Sequence, residues 1–121
     1  MAKVLIVDDS RVYRYSLRKL VTDWGHEVLI AKNGEQAIEV ALEHKPELIL
    51  MDIVMPGMNG YQAKRALARN EATSGIPVIF VSTRSEETDR IWGLRQGAAA
   101  YVTKPVKPEI LESAILEAVA A

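Results

Sequence analysis

Short apolar runs alternate along the chain with apolar residues spaced three and four apart, so the hydrophobic period switches repeatedly between strand-like and helix-like. The run "KVLIV" at 3–7 is continuous and rich in β-branched residues, as expected of a strand buried on both faces. Ser10 offers an N-cap, and Val12, Ser16, Leu17, Leu20, Val21 and Trp24 follow at helical spacing up to Gly25, a residue suited to a helix end. "EVLIA" at 27–31 predicts a second strand, "NG" at 33–34 a turn, and Ala37, Ile38, Ala41 and Leu42 a second helix that stops before Pro46. The stretch "ELILMDIVMPGMNG" at 47–60 carries the third strand, and Ala63, Ala66 and Leu67 mark a third helix that "TSG" at 73–75 ends loosely. "IPVIFVS" at 76–82 predicts a fourth strand with Pro77 confined to its start. A fourth helix follows Ser85, with Glu86, Glu87 and Asp89 near its positive end. "AAYVT" at 99–103 is a short fifth strand, and Pro108 suits the first position of a last helix striped by Leu111, Ala114, Ile115, Ala118 and Val119.

Five strands alternating with five helices imply right-handed crossovers, hence a doubly wound α/β fold: one parallel sheet with helices on both faces. Nothing resembles a linker or a repeat, so residues 1–121 are expected to form a single domain. In open sheets of this kind, ligands bind outside the carboxyl ends of the strands.

Composition narrows the function. At 49% hydrophobic and 26% charged residues, the chain can build an ordinary globular core. Its formal net charge of -1 gives no global field toward nucleic acid or anionic lipid, so neither is expected as a partner. The absence of cysteine excludes disulfides and thiolate metal sites and suits a reducing compartment. Acids follow the first apolar run where a signal peptide would stay apolar, and no run approaches the roughly 18 residues of a membrane span. A cytoplasmic protein without membrane insertion is expected.

The strand ends carry the chemistry. Strand one runs into Asp8 and Asp9, strand three into Asp52, strand four into Ser82 and Thr83, and strand five into Thr103, Lys104 and Pro105. Three carboxylates gathered at one sheet edge repel one another, and a hard divalent cation such as Mg²⁺ relieves that repulsion. Lys104 supplies a point charge for a phosphoryl oxygen, and Ser82 can donate a hydrogen bond to another. Phosphoryl transfer onto Asp52 is the reaction this set suggests, with plain Mg²⁺ binding as the alternative.

The fragments "VDDS", "LMDIVMPGMNG", "VSTR" and "YVTKPV", in this order, resemble the receiver domain of bacterial two-component response regulators over essentially the whole chain. The resemblance implies a flavodoxin-like sheet of order 2-1-3-4-5 and makes Asp52 the phosphoacceptor. It makes Asp9 a direct metal ligand, Asp8 a ligand through water, and the Val54 carbonyl the remaining protein ligand for Mg²⁺. It assigns Ser82 as the switch hydroxyl, Tyr101 as the switch aromatic and Lys104 as the phosphate-binding lysine, and it implies a cis Lys104–Pro105 bond. A receiver of this kind is not an enzyme acting on a separate substrate; it catalyses its own phosphorylation and dephosphorylation. It implies a histidine kinase as phosphodonor, a downstream motility or signalling protein as output partner, and a monomer. "IPVIFVSTRSEETDRIWGLRQGA" most resembles stand-alone, chemotaxis-like receivers of twitching motility driven by type IV pili. Val54 and Arg84, two places after the phosphoacceptor and the switch hydroxyl, flank the route of attacking water in that family.

Other chemistries lack their parts. "LILMD" could open a nucleotide-hydrolysing site, but no G-x-x-x-x-G-K-[ST] exists, and no G-x-G-x-x-G supports a dinucleotide. A haloacid-dehalogenase-type phosphatase needs an acid where Val54 stands. His26 and His44 lack partners at metal spacing and are expected at the surface, whereas Trp24 is expected in the core. Trp92, beside Arg90 and Arg95, is either a partner-facing aromatic or half-buried packing. Within the family, a phosphorylation switch, a phosphate sink for a shared kinase and a phosphorylation-independent scaffold remain as alternatives.

Overall fold

The computed structural model describes residues 1–120. Ten elements alternate without exception: β1 (Lys3–Val7), α1 (Arg11–Asp23), β2 (Glu27–Ala31), α2 (Gly34–His44), β3 (Leu48–Met51), α3 (Gly60–Ala68), β4 (Val78–Ser82), α4 (Glu87–Arg95), β5 (Ala100–Thr103) and α5 (Pro108–Ala120). The strands form one parallel sheet in the order β2-β1-β3-β4-β5. β1 and β3 lie side by side at its centre, with Val7 paired to Met51, so the residues that follow each strand emerge together.

Two cores cover the sheet. Val4 and Ile6 face one side with Leu48, Leu50, Ile79 and Val81, packed by Leu17 and Val21 of α1 and by Leu111 and Ile115 of α5. Leu5 and Val7 face the other side with Ile49, Met51 and Phe80, packed by Ala37 and Ala41 of α2 and by Ala63 and Leu67 of α3. Each fully buried Val, Leu, Ile or Phe side chain contributes about 1.5–3 kcal/mol of transfer free energy. That double burial is why the strands are apolar without alternation.

The helix ends are set by side chains. Ser10 Oγ accepts the Tyr13 N–H at 3.3 Å, Asn33 Oδ1 the Gln36 N–H at 2.8 Å, and Asn59 Oδ1 the Gln62 N–H at 2.9 Å. "NG" at 33–34 therefore caps α2, with Asn33 as N-cap and Gly34 as first helical residue, rather than forming a separate turn. Other local expectations shift as well. Val12 is 76% exposed and Ser16 is also exposed, so the buried stripe of α1 is carried by Leu17 and Val21. Leu42 and Val119 lie at helix rims, and β4 begins at Val78, just beyond Pro77. β5 begins at Ala100 rather than Ala99. α3 ends at Ala68, ahead of the 73–75 segment, and Thr73 is buried with its hydroxyl donating back to the Leu67 carbonyl at 2.7 Å. Among the described residues, no helix is long and apolar enough to cross a membrane.

Candidate functional site

Asp8 follows the last residue of β1 and is fully buried. A carboxylate so placed must have its oxygens satisfied. Oδ1 accepts the Ser10 N–H at 2.8 Å, Oδ2 accepts Lys104 Nζ at 2.8 Å, and the Asp8 carbonyl accepts Arg14 Nη1 at 2.8 Å. Asp52 follows β3 and retains 8% exposure. Its N–H donates to the Val7 carbonyl at 2.9 Å, which carries the sheet ladder one residue past the strand and fixes the side chain beside Asp8. Asp52 Oδ1 accepts the Ile53 N–H at 2.7 Å, and Oδ2 accepts Lys104 Nζ at 3.3 Å.

The close fit of the next segment explains "MNG". Gly60, the first residue of α3, donates its N–H to the Ile53 carbonyl at 2.8 Å. A Cβ there would collide with the backbone carbonyl of Asp52, so only glycine lets α3 start this close to the end of β3.

Lys104 crosses from the end of β5 to bridge both buried acids, with 3% of its side chain exposed. Its own N–H donates to the Ser82 carbonyl at 2.8 Å, and the Lys104–Pro105 bond is cis. Asp9 is exposed at the rim, and one oxygen each from Asp8, Asp9 and Asp52 lie within 4.8 Å of one another. Three carboxylates thus face one ammonium. The all-oxygen donor set, with charge left over, fits a hard divalent cation such as Mg²⁺. Burial pushes the Asp52 carboxyl above its ordinary value; the charge of Asp8 adds to the rise, and Lys104 opposes it.

Ser82 is fully buried at the end of β4, and its Oγ accepts the Arg84 N–H at 3.1 Å, leaving the hydroxyl proton for another acceptor. Tyr101 of β5 points inward over α4, and its hydroxyl donates to the Arg84 carbonyl at 2.7 Å. The Arg84 guanidinium pairs with Asp89 at 2.9 Å, so it is anchored at the start of α4 and not free in solvent. Val54 is 56% exposed, beside a groove lined by Met55, Tyr61, Arg84, Asp89 and Trp92. Trp92 is half exposed, and Tyr61 meets it edge-on at 6.4 Å; Ile91 is 43% exposed, so it does not face inward. Trp24 is only half-buried against its core, and His26 accepts the Ala2 N–H on Nδ1 at 3.0 Å.

Asp8, Asp52 and Lys104 are therefore in direct contact and Asp9 lies alongside; Ser82 meets Lys104 through its own carbonyl, and Arg84 links Ser82 onward to Tyr101. Two residues at this site escaped the sequence patterns. Arg14 grips the end of β1, and Tyr13 places its ring over Lys104 Nζ, 3.8 Å from the ring centroid. The signal for Tyr13 was its place in the first turn of a helix starting directly after the acids.

The model of the response regulator receiver domain matches residues 4–116. Protein PilH of Pseudomonas aeruginosa is 52% identical over 111 residues, covering 92% of each chain. The phosphate regulon transcriptional regulatory protein PhoB of the same species is 41% identical over 108 residues, which is 89% of this chain but 47% of PhoB. Among solved structures, the chemotaxis protein CheY4 of Vibrio cholerae superposes with a TM-score of 0.90 at 30% identity over 98% of both chains. A family match from the second residue of β1 into α5, over a sheet whose carboxyl edge presents this acid–lysine cluster, makes the chain a member of the response regulator receiver family.

Proposed function

We propose that the chain is a phosphorylation switch in which Asp52 accepts a phosphoryl group from the phosphohistidine of a histidine kinase. One observation carries this most directly: Lys104 bridges Asp8 and Asp52 at the strand ends while Asp52 keeps an opening to solvent. An Asp52 oxygen bonds to phosphorus as the bond from phosphorus to the donor nitrogen breaks, and the departing imidazole takes up a proton. Lys104, whose Nζ lies 3.3 Å from Asp52 Oδ2, would donate to one phosphoryl oxygen on Asp52, and the Ser82 hydroxyl to another. Asp8, Asp9, Asp52 and the Val54 carbonyl would hold Mg²⁺, which would neutralise charge spread over the transferring group.

A switch is favoured over a sink or a scaffold by the chain of bonds leading away from the site. Ser82 holds the Arg84 N–H, and the Arg84 carbonyl holds the Tyr101 hydroxyl. A phosphoryl group that engages Ser82 would disturb a link reaching the surface between α4 and β5, the kind of coupling a switch needs. The 52% identity to PilH and the resemblance to twitching-motility receivers support a role acting on a partner protein in a chemotaxis-like or type IV pilus pathway. Phosphotransfer from candidate kinases tests the assignment, followed by capture of partners with the chain in the presence and absence of a phosphoryl mimic. A partner retained only in the phosphoryl-like state is expected. Transfer without any change in binding would instead support the sink.

A further inference from the structure

We propose that Tyr13 is a positioning residue for Lys104 in phosphoryl transfer, an assignment that rests on Asp52 being the phosphoacceptor. An ammonium has three N–H donors and no acceptor. Lys104 commits donors to Asp8 at 2.8 Å and Asp52 at 3.3 Å, and its Nζ also lies over the Tyr13 ring, 3.8 Å from the centroid. The negative face of an aromatic ring attracts a cation at this range, more strongly where water is excluded. Here the Lys104 side chain is 3% exposed.

The ring is itself fixed. Tyr13 sits in the first turn of α1, where its N–H donates to Ser10 Oγ at 3.3 Å. That turn is tied to the end of β1 by the Ser10 N–H to Asp8 Oδ1 and by Arg14 to the Asp8 carbonyl, each at 2.8 Å. Asp8 thereby holds both the lysine and, through α1, the ring that covers it. During transfer the ammonium must turn from Asp52 toward a phosphoryl oxygen. The ring keeps a favourable contact throughout that rotation and bars the route by which the side chain would swing out and hydrate. A Leu or Met of similar bulk bars the route less well and offers the cation nothing.

Small phosphodonors make the test independent of kinase docking on α1. With acetyl phosphate and Mg²⁺, Tyr13→Leu and Tyr13→Met should phosphorylate roughly 3- to 30-fold more slowly than the parent. Tyr13→Phe, which keeps the ring and loses only the hydroxyl, should stay within about twofold, because the ring face supplies the contact. In the unphosphorylated parent, the Lys104 ε-methylene protons should be shifted upfield by the ring current, a signature kept in Tyr13→Phe and lost in the Leu and Met variants. Parent-like rates in both aliphatic variants, or an unshifted ε-methylene in the parent, would overturn the role of Tyr13 alone. A parent that takes up no phosphoryl group would overturn the phosphoacceptor assignment beneath it.

Discussion

Asp52 is the residue whose environment is least at ease. Burial raises its pKa above the ordinary 3.8, so the folded chain holds that proton more tightly than the unfolded chain does. Ionisation at neutral pH therefore works against folding. The penalty is absent below the unfolded pKa and grows as pH rises to the folded value. Asp52→Asn should accordingly melt a few degrees higher than the parent at pH 7, and the difference should vanish as pH falls below about 4. Thermal scans across this range check it; a gain that persists in acid would assign the effect to packing. Asp9 offers the cleanest probe of the metal, since its exposed carboxylate carries none of the bonds that hold Asp8. Mg²⁺ at ten times its dissociation constant should stabilise the parent by about 1.4 kcal/mol. Asp9→Ala should abolish that gain and Asp8→Ala weaken it, whereas equal shifts in parent and Asp9→Ala would place the ion elsewhere. The acids and Lys104 were legible in the sequence because each ends an apolar run. The cover that Tyr13 provides was not, since it joins residues that meet only when α1 and β5 are folded onto one edge.

At the scale of elements, α4 stands apart. Ser10, Asn33 and Asn59 cap α1, α2 and α3, but Glu86 makes no capping bond to α4. Its one buried residue is Gly93, where about 1 kcal/mol of helix propensity relative to Ala is forgone. The structure supplies the reason: a Cβ at Gly93 would lie 2.6 Å from Tyr101 Cδ2 and 2.9 Å from Cε2. Glycine thus makes room for the inward tyrosine at the expense of its own helix. Amide exchange should be faster across residues 87–95 than in α1 and α5, and uniform protection would contradict this. Val54 after β3 and Arg84 before α4 line one groove, and the lifetime of a phosphoryl group on Asp52 is expected to depend on both. The Val54 side chain offers no hydrogen bond to an attacking water, and Arg84, paired with Asp89, lines the same groove. Val54→Asn with Arg84→Glu should speed loss of the phosphoryl group after the donor is removed, because a polar group replaces the valine and the Arg84–Asp89 pair becomes a repulsion. An unchanged or slower decay would refute it. Element boundaries were legible to within two residues wherever burial on both sheet faces made a strand uniformly apolar. They failed at the end of α3, which stops at Ala68 and is followed by turns up to the buried Thr73, whose hydroxyl bonds back to Leu67.

At the scale of the whole molecule, the order β2-β1-β3-β4-β5 does the assembling. The connections reverse between β1 and β3, so Asp8 and Asp52 emerge side by side from neighbouring strands. The cis turn after β5 lies at the same edge, from which Lys104 reaches both acids. Alternation of short apolar runs with helical stripes was enough to foresee a parallel sheet, whose strands all end on one side, whereas the order 2-1-3-4-5 came from the family resemblance. The partnerships of Arg84 with Asp89 and of Tyr101 with the Arg84 carbonyl lay beyond sequence patterns, because they depend on how a weakly patterned helix settles on β5. The most direct measurement is the intact mass of the chain after incubation with acetyl phosphate and Mg²⁺, with the modified residue located by borohydride trapping. One phosphoryl group on Asp52 in the parent, and none in Asp52→Asn, is the predicted result. Modification that persists in Asp52→Asn, or a parent that stays unmodified, would contradict the assignment of Asp52 as the phosphoacceptor.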